Sequence, residues 1–433
     1  MHDLVVRSRR VVLPGGVRDS AIVVKDGKIT AVEDYGARLD AAADLDLGDV
    51  ALLPGLVDTH VHVNEPGRTQ WEGFATATRA AAAGGVTTIC DMPLNSIPHT
   101  INVAALETKL NAARGQCAVD VAFWGGAVPG NREDMKPLLD AGVIGFKCFL
   151  ANSGDFPPLD AAGLRAAMGE LAGAPMIVHA EDPAEITEPT GGRYDDFLAS
   201  RPPVSERRAI ETVVRAAAAT GARAHIVHLS AAECAALLSG AKAAGIAITA
   251  ETCPHYLYFA AEEIPDGHTE FKCTPPLRPA INRQALWRAL TTGVIDYVVS
   301  DHSPCEPSLK SGDFTTAWGG ISSLQLGLPV VWTAASAHGA SLGDITRWMS
   351  AGPAELAGLP GKGAIAAGRD ADLVAFDDAA TFTVRGDQLA HRHPLTPYEG
   401  RTLTGRVERV WLRGAEITGE PRGRLLKRGG GEY

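Results

Sequence analysis

The feature that most constrains the fold of this chain is a long alternation of short apolar runs with alanine-rich amphipathic segments. Eight of the apolar runs have the length and composition of buried β-strands. They are Leu56–His62, Thr87–Asp91, Val119–Trp124, Ile144–Phe149, Met176–Ala180, Ala224–Leu229, Ala247–Glu251 and Tyr297–Asp301. Strands that alternate with helices predict an α/β fold with a parallel sheet, and eight such units predict closure into a (β/α)8 TIM-type barrel.

The two ends of the chain have a different pattern from the middle. Short β-rich runs separated by turns such as Asp26-Gly27 are typical of hairpins, and similar runs return near the C-terminus. A chain of 433 residues is also longer than one ordinary core needs. We therefore predict a barrel at 54–360 and a small β-sandwich domain formed by 1–53 and 361–433, in which the final glycines give a flexible tail.

Composition excludes several classes of partner. Lys and Arg number 40 against 51 Asp and Glu, and the resulting formal net charge of −11 argues against nucleic acid or an anionic membrane as a partner. No run approaches the roughly 18 apolar residues that cross a bilayer, and the N-terminus lacks the apolar core of a signal peptide. The seven cysteines form no C-x-x-C pair, which disfavours a disulfide framework. These observations predict a cytoplasmic protein.

Polar residues stand at the carboxyl ends of several predicted strands. His60 and His62 alternate with a valine and therefore face the same side of the first strand, where two imidazoles suit zinc or a similar divalent metal. His179 and His228 end the fifth and sixth strands, where a hydrogen-bonded core histidine is the alternative. Asp301 ends the eighth strand, and a buried carboxylate there requires a neutralising cation.

Lys147 lies within the apolar run GFKCFL. Burial of an ammonium group is costly, so the pKa of this lysine should fall and part of the amine should be neutral. A neutral amine can react with carbon dioxide to form a carbamate, N6-carboxylysine, whose two oxygens can bridge two metal ions. The alternative is a lysine that extends outward to a salt bridge. With the five residues above, Lys147 predicts a site for two metal ions.

Several motifs together resemble the amidohydrolase superfamily. They are GLVDTHVH, GFKCFL, VHAED, HLS, TCPHYL and SDHSP. The resemblance covers nearly the whole chain and is strongest to the cyclic-amidase branch, which comprises dihydroorotases, hydantoinases with dihydropyrimidinases, and allantoinases. It implies a barrel with a small β-domain and the hydrolysis of a cyclic amide at two divalent metal ions.

The resemblance also implies a role for each of the six residues. The two histidines of the first strand would bind one metal ion, and His179 and His228 would bind the other. Carbamylated Lys147 would bridge the two ions, and Asp301 would ligate the first ion and act as the general base. The ions would be zinc, with iron, cobalt, manganese or nickel as alternatives, and carbon dioxide would supply the carbamate.

Within this branch the sequence resembles the allantoinases. Dihydroorotases carry an arginine two residues after H-x-H, where this chain has Asn64, an amide that suits a neutral substrate. Hydantoinases carry a tyrosine five residues after the bridging lysine, where this chain has Asn152. The segments DMPLNSIPHT and AWGGISSLQLGLP are also allantoinase-like. The substrate contacts predicted on this basis are Asn64, Asn95, Cys273 and Gly319.

The implied function is hydrolysis of allantoin to allantoate in purine (ureide) degradation by a homo-oligomer, expected to be a homotetramer. Two alternatives remain open within the same chemistry, a hydantoinase or dihydropyrimidinase and a dihydroorotase. A third alternative is a non-catalytic scaffold, because some relatives keep the barrel but lose metal ligands. All six ligand positions are intact here, which disfavours that alternative.

Overall fold

The computed structural model describes residues 1–433, and its N-terminal segment forms five strands. They are β1 (His2–Leu13), β2 (Gly16–Lys25), β3 (Lys28–Glu33), β4 (Ala41–Asp46) and β5 (Ala51–Pro54). The predicted hairpin at Asp26-Gly27 is confirmed, since β2 and β3 are antiparallel and Lys25 pairs with Lys28. Both turn residues have positive φ, 51° and 75°, as a two-residue hairpin of this kind requires.

The middle of the chain alternates strands with helices, as predicted. The strands are β6 (Leu56–Val61), β7 (Val86–Asp91), β8 (Asp120–Phe123), β9 (Gly125–Gly126), β10 (Phe146–Phe149), β11 (Pro175–His179), β12 (Arg223–Ile226), β13 (Ile248–Thr252) and β14 (Tyr297–Val298). The helices are α1 (Phe74–Ala83), α2 (Val103–Ala113), α3 (Arg132–Ala141), α4 (Ala161–Met168), α5 (Tyr194–Ser200), α6 (Pro203–Thr220), α7 (Ala235–Ala243), α8 (Pro254–Tyr258) and α9 (Ala280–Thr291). Each of the eight predicted strand runs contains a strand.

These middle strands form two parallel sheets. One has the order β14-β13-β12-β11-β10-β9, and the other contains β8, β7 and β6 in that order. Backbone hydrogen bonds connect the two sheets on both sides: the amide of Ile144 donates to Phe123 O at 3.0 Å, and that of His62 donates to His302 O at 2.9 Å. The carboxyl ends of the strands therefore point the same way, and the side chains that follow them can converge.

The C-terminal part adds three helices and four strands. They are α10 (Gly327–Ala335), α11 (Leu342–Thr346), α12 (Gly352–Leu356), β15 (Leu373–Thr383), β16 (Thr402–Leu412), β17 (Ala415–Glu416) and β18 (Leu425–Leu426). Strands from both ends of the chain share one eight-stranded sheet with the order β17-β16-β15-β5-β1-β2-β3, in which β4 also pairs with β1. No helix in the structure combines the length and apolarity needed to span a membrane.

The last residues of the chain correct one expectation. Instead of a flexible tail, Leu425 and Leu426 form β18, which is buried and pairs in parallel with β8. The amide of Tyr433 donates to Leu425 O at 3.0 Å. The prediction of a flexible tail depended on the glycines near the C-terminus. The two leucines beside them provide apolar surface, and burial of that surface orders the segment.

Candidate metal centre

The structure brings the six predicted metal-site residues together at the carboxyl ends of the strands, and all six are buried. His60 and Lys147 lie within strands, and His179 is the last residue of β11. The other three follow strands that end earlier than the sequence predicts. His62 comes directly after β6, His228 lies two residues beyond β12, and Asp301 lies three residues beyond β14.

His60, His62 and Asp301 form the tightest group. Asp301 Oδ1 lies 3.1 Å from His60 Nε2 and 3.5 Å from His62 Nε2. One potential ligand atom from each residue lies within 4.8 Å of the other two. Asp301 has a φ of 45°, an unusual backbone conformation for a non-glycine residue, and strain of this kind concentrates at functional sites.

A second pair of histidines lies beside this group. The ring centroids of His179 and His228 are 4.6 Å apart, and His228 is 5.4 Å from His60 by the same measure. His228 also has a positive φ, 39°. Four histidines from three different strands thus surround one small volume, although they are far apart in sequence.

Lys147 lies in the same region. Its side chain is 1% exposed, and Nζ lies 4.9 Å from the centroid of the Phe149 ring, which stacks on His179. Burial lowers the pKa of Lys147 to about 8, while the negative charges of Asp301 and Glu251 oppose this shift. Part of the amine is therefore neutral near physiological pH, as carbamate formation requires.

The hydrogen bonding of the histidines fits a divalent metal. His60 Nε2 and His228 Nδ1 are buried and have no hydrogen-bond partner. Burial also lowers the pKa of both imidazoles well below the usual range, so each is neutral and has a free lone pair. Neutral imidazole nitrogens with an adjacent carboxylate are ligands that zinc and similar divalent ions prefer.

Two glutamates that the sequence analysis did not identify hold His60 and His179 in place. The first is Glu251 on β13, which is buried: His60 Nδ1 donates to its Oε1 at 2.5 Å, and His225 Nε2 donates to its Oε2 at 2.9 Å. The hydrogen bond fixes the proton of His60 on Nδ1 and leaves Nε2 free for a metal. The available signal was a carboxylate at the end of a predicted strand, the same signal that identified Asp301.

The second is Glu181, two residues after His179 in VHAED. His179 Nε2 donates to Glu181 Oε2 at 2.7 Å, and Arg201 Nη1 donates to the same oxygen at 2.6 Å. Burial raises the pKa of Glu181, but the charge of Arg201 and the bond from His179 outweigh it and lower the pKa to about 2. The carboxylate therefore stays ionised, and the bond to Nε2 leaves the lone pair of His179 on Nδ1.

The sequence pattern of the amidohydrolase family matches residues 51–417, most of the chain. The chain belongs to the amidohydrolase family. It is 55% identical to an allantoinase of Streptomyces avermitilis over 98% of this chain and 99% of that protein. It is 43% identical to an allantoinase of Arabidopsis thaliana over 96% of this chain and 88% of that protein.

Among solved structures of this family, the fold is similar to L-hydantoinase (dihydropyrimidinase) from Arthrobacter aurescens. The TM-score is 0.94, with 29% identity, and the alignment covers 99% of this chain and 100% of that chain. A dihydropyrimidinase from Brevibacillus agri aligns with a TM-score of 0.90 and 28% identity over 100% of both chains. The sequence relatives and the structural relatives therefore carry different names within one family.

Two of the four predicted substrate contacts lie beside the metal ligands. Asn64 is buried, and its Nδ2 donates to Pro304 O at 3.1 Å, while its Oδ1 has no partner. Asn95 Nδ2 lies 3.5 Å from His62 Nδ1. Both asparagines have positive φ, 66° and 62°. With His228 and Asp301, they make up four of the seven non-glycine residues that have positive φ.

The other two predicted contacts are Cys273 and Gly319. The Cys273 thiol is buried and donates to Pro275 O at 3.3 Å, and burial raises its pKa to about 12. Its side chain is therefore occupied within its own loop. Gly319 lines a cavity of 240 Å³ together with Asn152.

Two further buried histidines, His302 and His255, differ in the number of hydrogen bonds that their ring nitrogens form. His302 Nδ1 accepts hydrogen bonds from the amides of Ser323 and Leu324, and its Nε2 lies 3.2 Å from a buried glutamate oxygen. His255 is equally buried, but neither ring nitrogen has a partner. One of its nitrogens, Cys253 Sγ and an Asp301 oxygen lie within 4.8 Å of one another. His255 thus faces the metal centre, whereas His302 supports the chain behind it.

Proposed function

We propose that this chain hydrolyses allantoin to allantoate at a centre of two divalent metal ions. The observation that carries the proposal is the convergence of the six buried ligand residues from five separate strand ends, with Asn64 beside them. Identity of 55% to an allantoinase over nearly the full length supports the choice of substrate. Allantoin is neutral, which agrees with an amide at position 64 rather than a guanidinium group.

His60, His62 and Asp301 would hold one ion, and His179 and His228 would hold the other. Lys147, as N6-carboxylysine formed with carbon dioxide, would bridge the ions. Zinc is the favoured metal, with iron, cobalt, manganese and nickel as alternatives. When bound, the two ions would acidify a water molecule and polarise the ring carbonyl.

The residues of the chain perform the remaining tasks. Asp301 accepts a proton from the attacking water oxygen and delivers it to the departing ring nitrogen. Glu251 and Glu181 keep His60 and His179 oriented through their hydrogen bonds. Asn64 has an unpartnered Oδ1 that can accept a hydrogen bond from a ring N–H of the substrate.

The proposal includes the architecture. The two parallel sheets close into one barrel at 54–360 that has eight strands when β8 and β9, one residue apart, are counted as one. Hydrogen bonds between the sheets on both sides support this closure. Residues 1–53 and 361–433 form a small β-sandwich domain, supported by the sheet that both segments share. We further propose a cytoplasmic homotetramer that acts in purine (ureide) degradation.

A hydantoinase or dihydropyrimidinase is the second candidate, because the solved structures that align with the chain carry those names. The test is the initial rate of ring opening for allantoin, hydantoin, dihydrouracil and dihydroorotate with metal-loaded protein. We expect allantoin to be preferred by about 100-fold in kcat/KM, close to 2.7 kcal/mol. A preference for hydantoin or dihydrouracil would reject the allantoinase proposal and retain the metal chemistry.

The bridging role of Lys147 has its own test. Lys147→Ala should lose bound metal, measured by elemental analysis, and should lose activity. A short carboxylic acid such as propionate should restore part of both, because it supplies the missing bridging carboxylate. A Lys147→Ala protein that keeps two metal ions and full activity without added acid would reject the carbamate.

A further inference from the structure

A cavity of 240 Å³ is connected to the metal ligand His179 through Arg201 and Glu181, and the chemistry described above does not use it. Its walls come from four separate parts of the chain: the loop after β10, the connection after β11, the segment after α8 and the loop after β14. The lining residues relevant here are Asn152, Phe197, Arg201, Lys272, Trp318 and Gly319.

Lys272 is the unusual member of this lining. It is 8% exposed, and its Nζ donates one hydrogen bond, to Thr315 O at 3.2 Å, while it lies 5.2 Å from the centroid of the Phe197 ring. It forms no ion pair with a carboxylate. An ammonium group has three N–H donors, and buried donors without acceptors are costly. Donors of Lys272 are therefore available to a ligand in the cavity.

One ion pair, between Arg201 and Glu181, connects the cavity to the metal ligand His179. Arg201, which lines it, donates to Glu181 at 2.6 Å, and Glu181 accepts from His179 at 2.7 Å. Asn152, on another wall, is five residues after Lys147 in the chain. Arg201 and Glu181 thus connect the lining of the cavity to a metal ligand.

We propose that this cavity binds the ureido group of allantoin and that Lys272 determines specificity by donating to the ureido carbonyl oxygen. The inference rests on the proposed function and deepens it. The ureido group is the only difference between allantoin and hydantoin, and its carbonyl oxygen is a strong acceptor. Its N–H groups match acceptors such as the side-chain amide oxygen of Asn152. Ring opening produces a carboxylate at the metal centre. The group placed in the cavity is the ureido substituent, which is neutral before and after the reaction.

The test compares allantoin with unsubstituted hydantoin in the metal-loaded enzyme. Lys272→Met should lower kcat/KM for allantoin at least tenfold and change kcat/KM for hydantoin less than twofold. Lys272→Arg should restore part of the preference, because it keeps a charged donor. Lys242→Met is the matched control: Lys242 also donates to backbone carbonyls, those of Gly293 and Val294, but does not line the cavity, and the ratio should stay unchanged.

An unchanged ratio in Lys272→Met, or a parallel fall for both substrates, would overturn the inference. A second measurement does not depend on the folding of any variant. Wild-type enzyme should hydrolyse 5-isobutylhydantoin, which places an apolar group of similar size in the cavity, at least tenfold less efficiently than allantoin. Equal efficiency would also overturn the inference. Wild-type enzyme that opens hydantoin but not allantoin would instead reject the proposed function itself.

Discussion

Two of the regions in which this molecule buries charged or polar groups differ in how those groups are paired. The metal centre is one. The other, here termed the junction cluster, consists of Asp120, Lys362, Asp370, Asp372 and Arg413, where β8 meets the sheet formed by both ends of the chain. Lys362 Nζ lies 2.6, 3.0 and 2.7 Å from the three carboxylates. Arg413 donates to both oxygens of Asp120, at 2.6 and 2.7 Å.

Every charge in the junction cluster has an opposite charge beside it, whereas the metal centre contains buried polar atoms without partners. His60 Nε2, His228 Nδ1 and Asn64 Oδ1 are examples. Buried polar groups in folded proteins are normally bonded, so each exception needs an explanation. The charges of the junction cluster are thus neutralised by other residues of the chain. The unpartnered atoms of the metal centre are instead available to bound ligands.

The largest expected effect is at the metal centre. Asp301→Asn removes the proton acceptor while it retains the size of the side chain, and kcat should fall by about 10²–10⁴-fold. The stability of the metal-free protein should change little, because no ion pair of the junction type is lost. Initial rates and a urea unfolding curve measure the two quantities. Activity within threefold of wild type would show that another group accepts the proton.

Lys362→Met should lower the stability of the protein and leave its kcat nearly unchanged. The substitution removes the cation shared by two buried carboxylates, Asp120 and Asp372, and by the partly buried Asp370, and should cost about 3–5 kcal/mol of unfolding free energy. The kcat of the folded protein should stay within about twofold of wild type, because Lys362 lies in the junction cluster. The midpoint of denaturant unfolding tests the first expectation. A fall in kcat at unchanged stability would contradict the separation of the two regions.

A smaller effect is expected for Glu251→Gln, which keeps a hydrogen-bond acceptor for His60 but removes its charge. Loss of such a partner typically lowers metal affinity by about 10–100-fold. Titration of the metal-free protein, followed by return of activity, measures this affinity. We expect activity to recover fully at saturating metal. An unaltered metal affinity would mean that packing, and not the charge of Glu251, orients His60.

The smallest effect concerns pH. Burial lowers the pKa of Lys272 to about 8, the positive charge of Arg201 lowers it further, and Asp313 raises it. Lys310, whose Nζ donates to Lys272 O, is the other charged group beside it. Below pH 8 the amine is charged and donates strongly, and above pH 8 the charge is lost.

The preference for allantoin over hydantoin should therefore fall about fivefold as pH rises through 8, since charged hydrogen bonds are stronger by roughly 1 kcal/mol. The ratio of kcat/KM values cancels the pH dependence of the common ring chemistry. In Lys272→Arg the ratio should stay constant over the same range, because a guanidinium group remains charged. A ratio that changes equally in both proteins would assign the titration to another group.

Much of this organisation could be predicted from the sequence because it depends on local pattern. The eight buried strands follow from apolar runs, and the ligand histidines follow from polar residues placed where such runs end. Glu181 and Glu251 were missed because carboxylates are usually exposed, and their burial is evident only once the strands are assembled. The cavity around Lys272 could not be predicted, since its walls come from four loops distant in sequence.

The pairing of strands from opposite ends of the chain has a consequence for synthesis. β5 pairs with β15, and β8 pairs with β18, so each of these early strands keeps one unpaired edge until the last parts of the chain have been made. During translation, the edges of β5 and β8 are available to other chains, which is a known route to aggregation. Such long-range pairs also slow folding. Production in cells should therefore benefit from slower translation or lower temperature, and from avoiding truncation after Arg422.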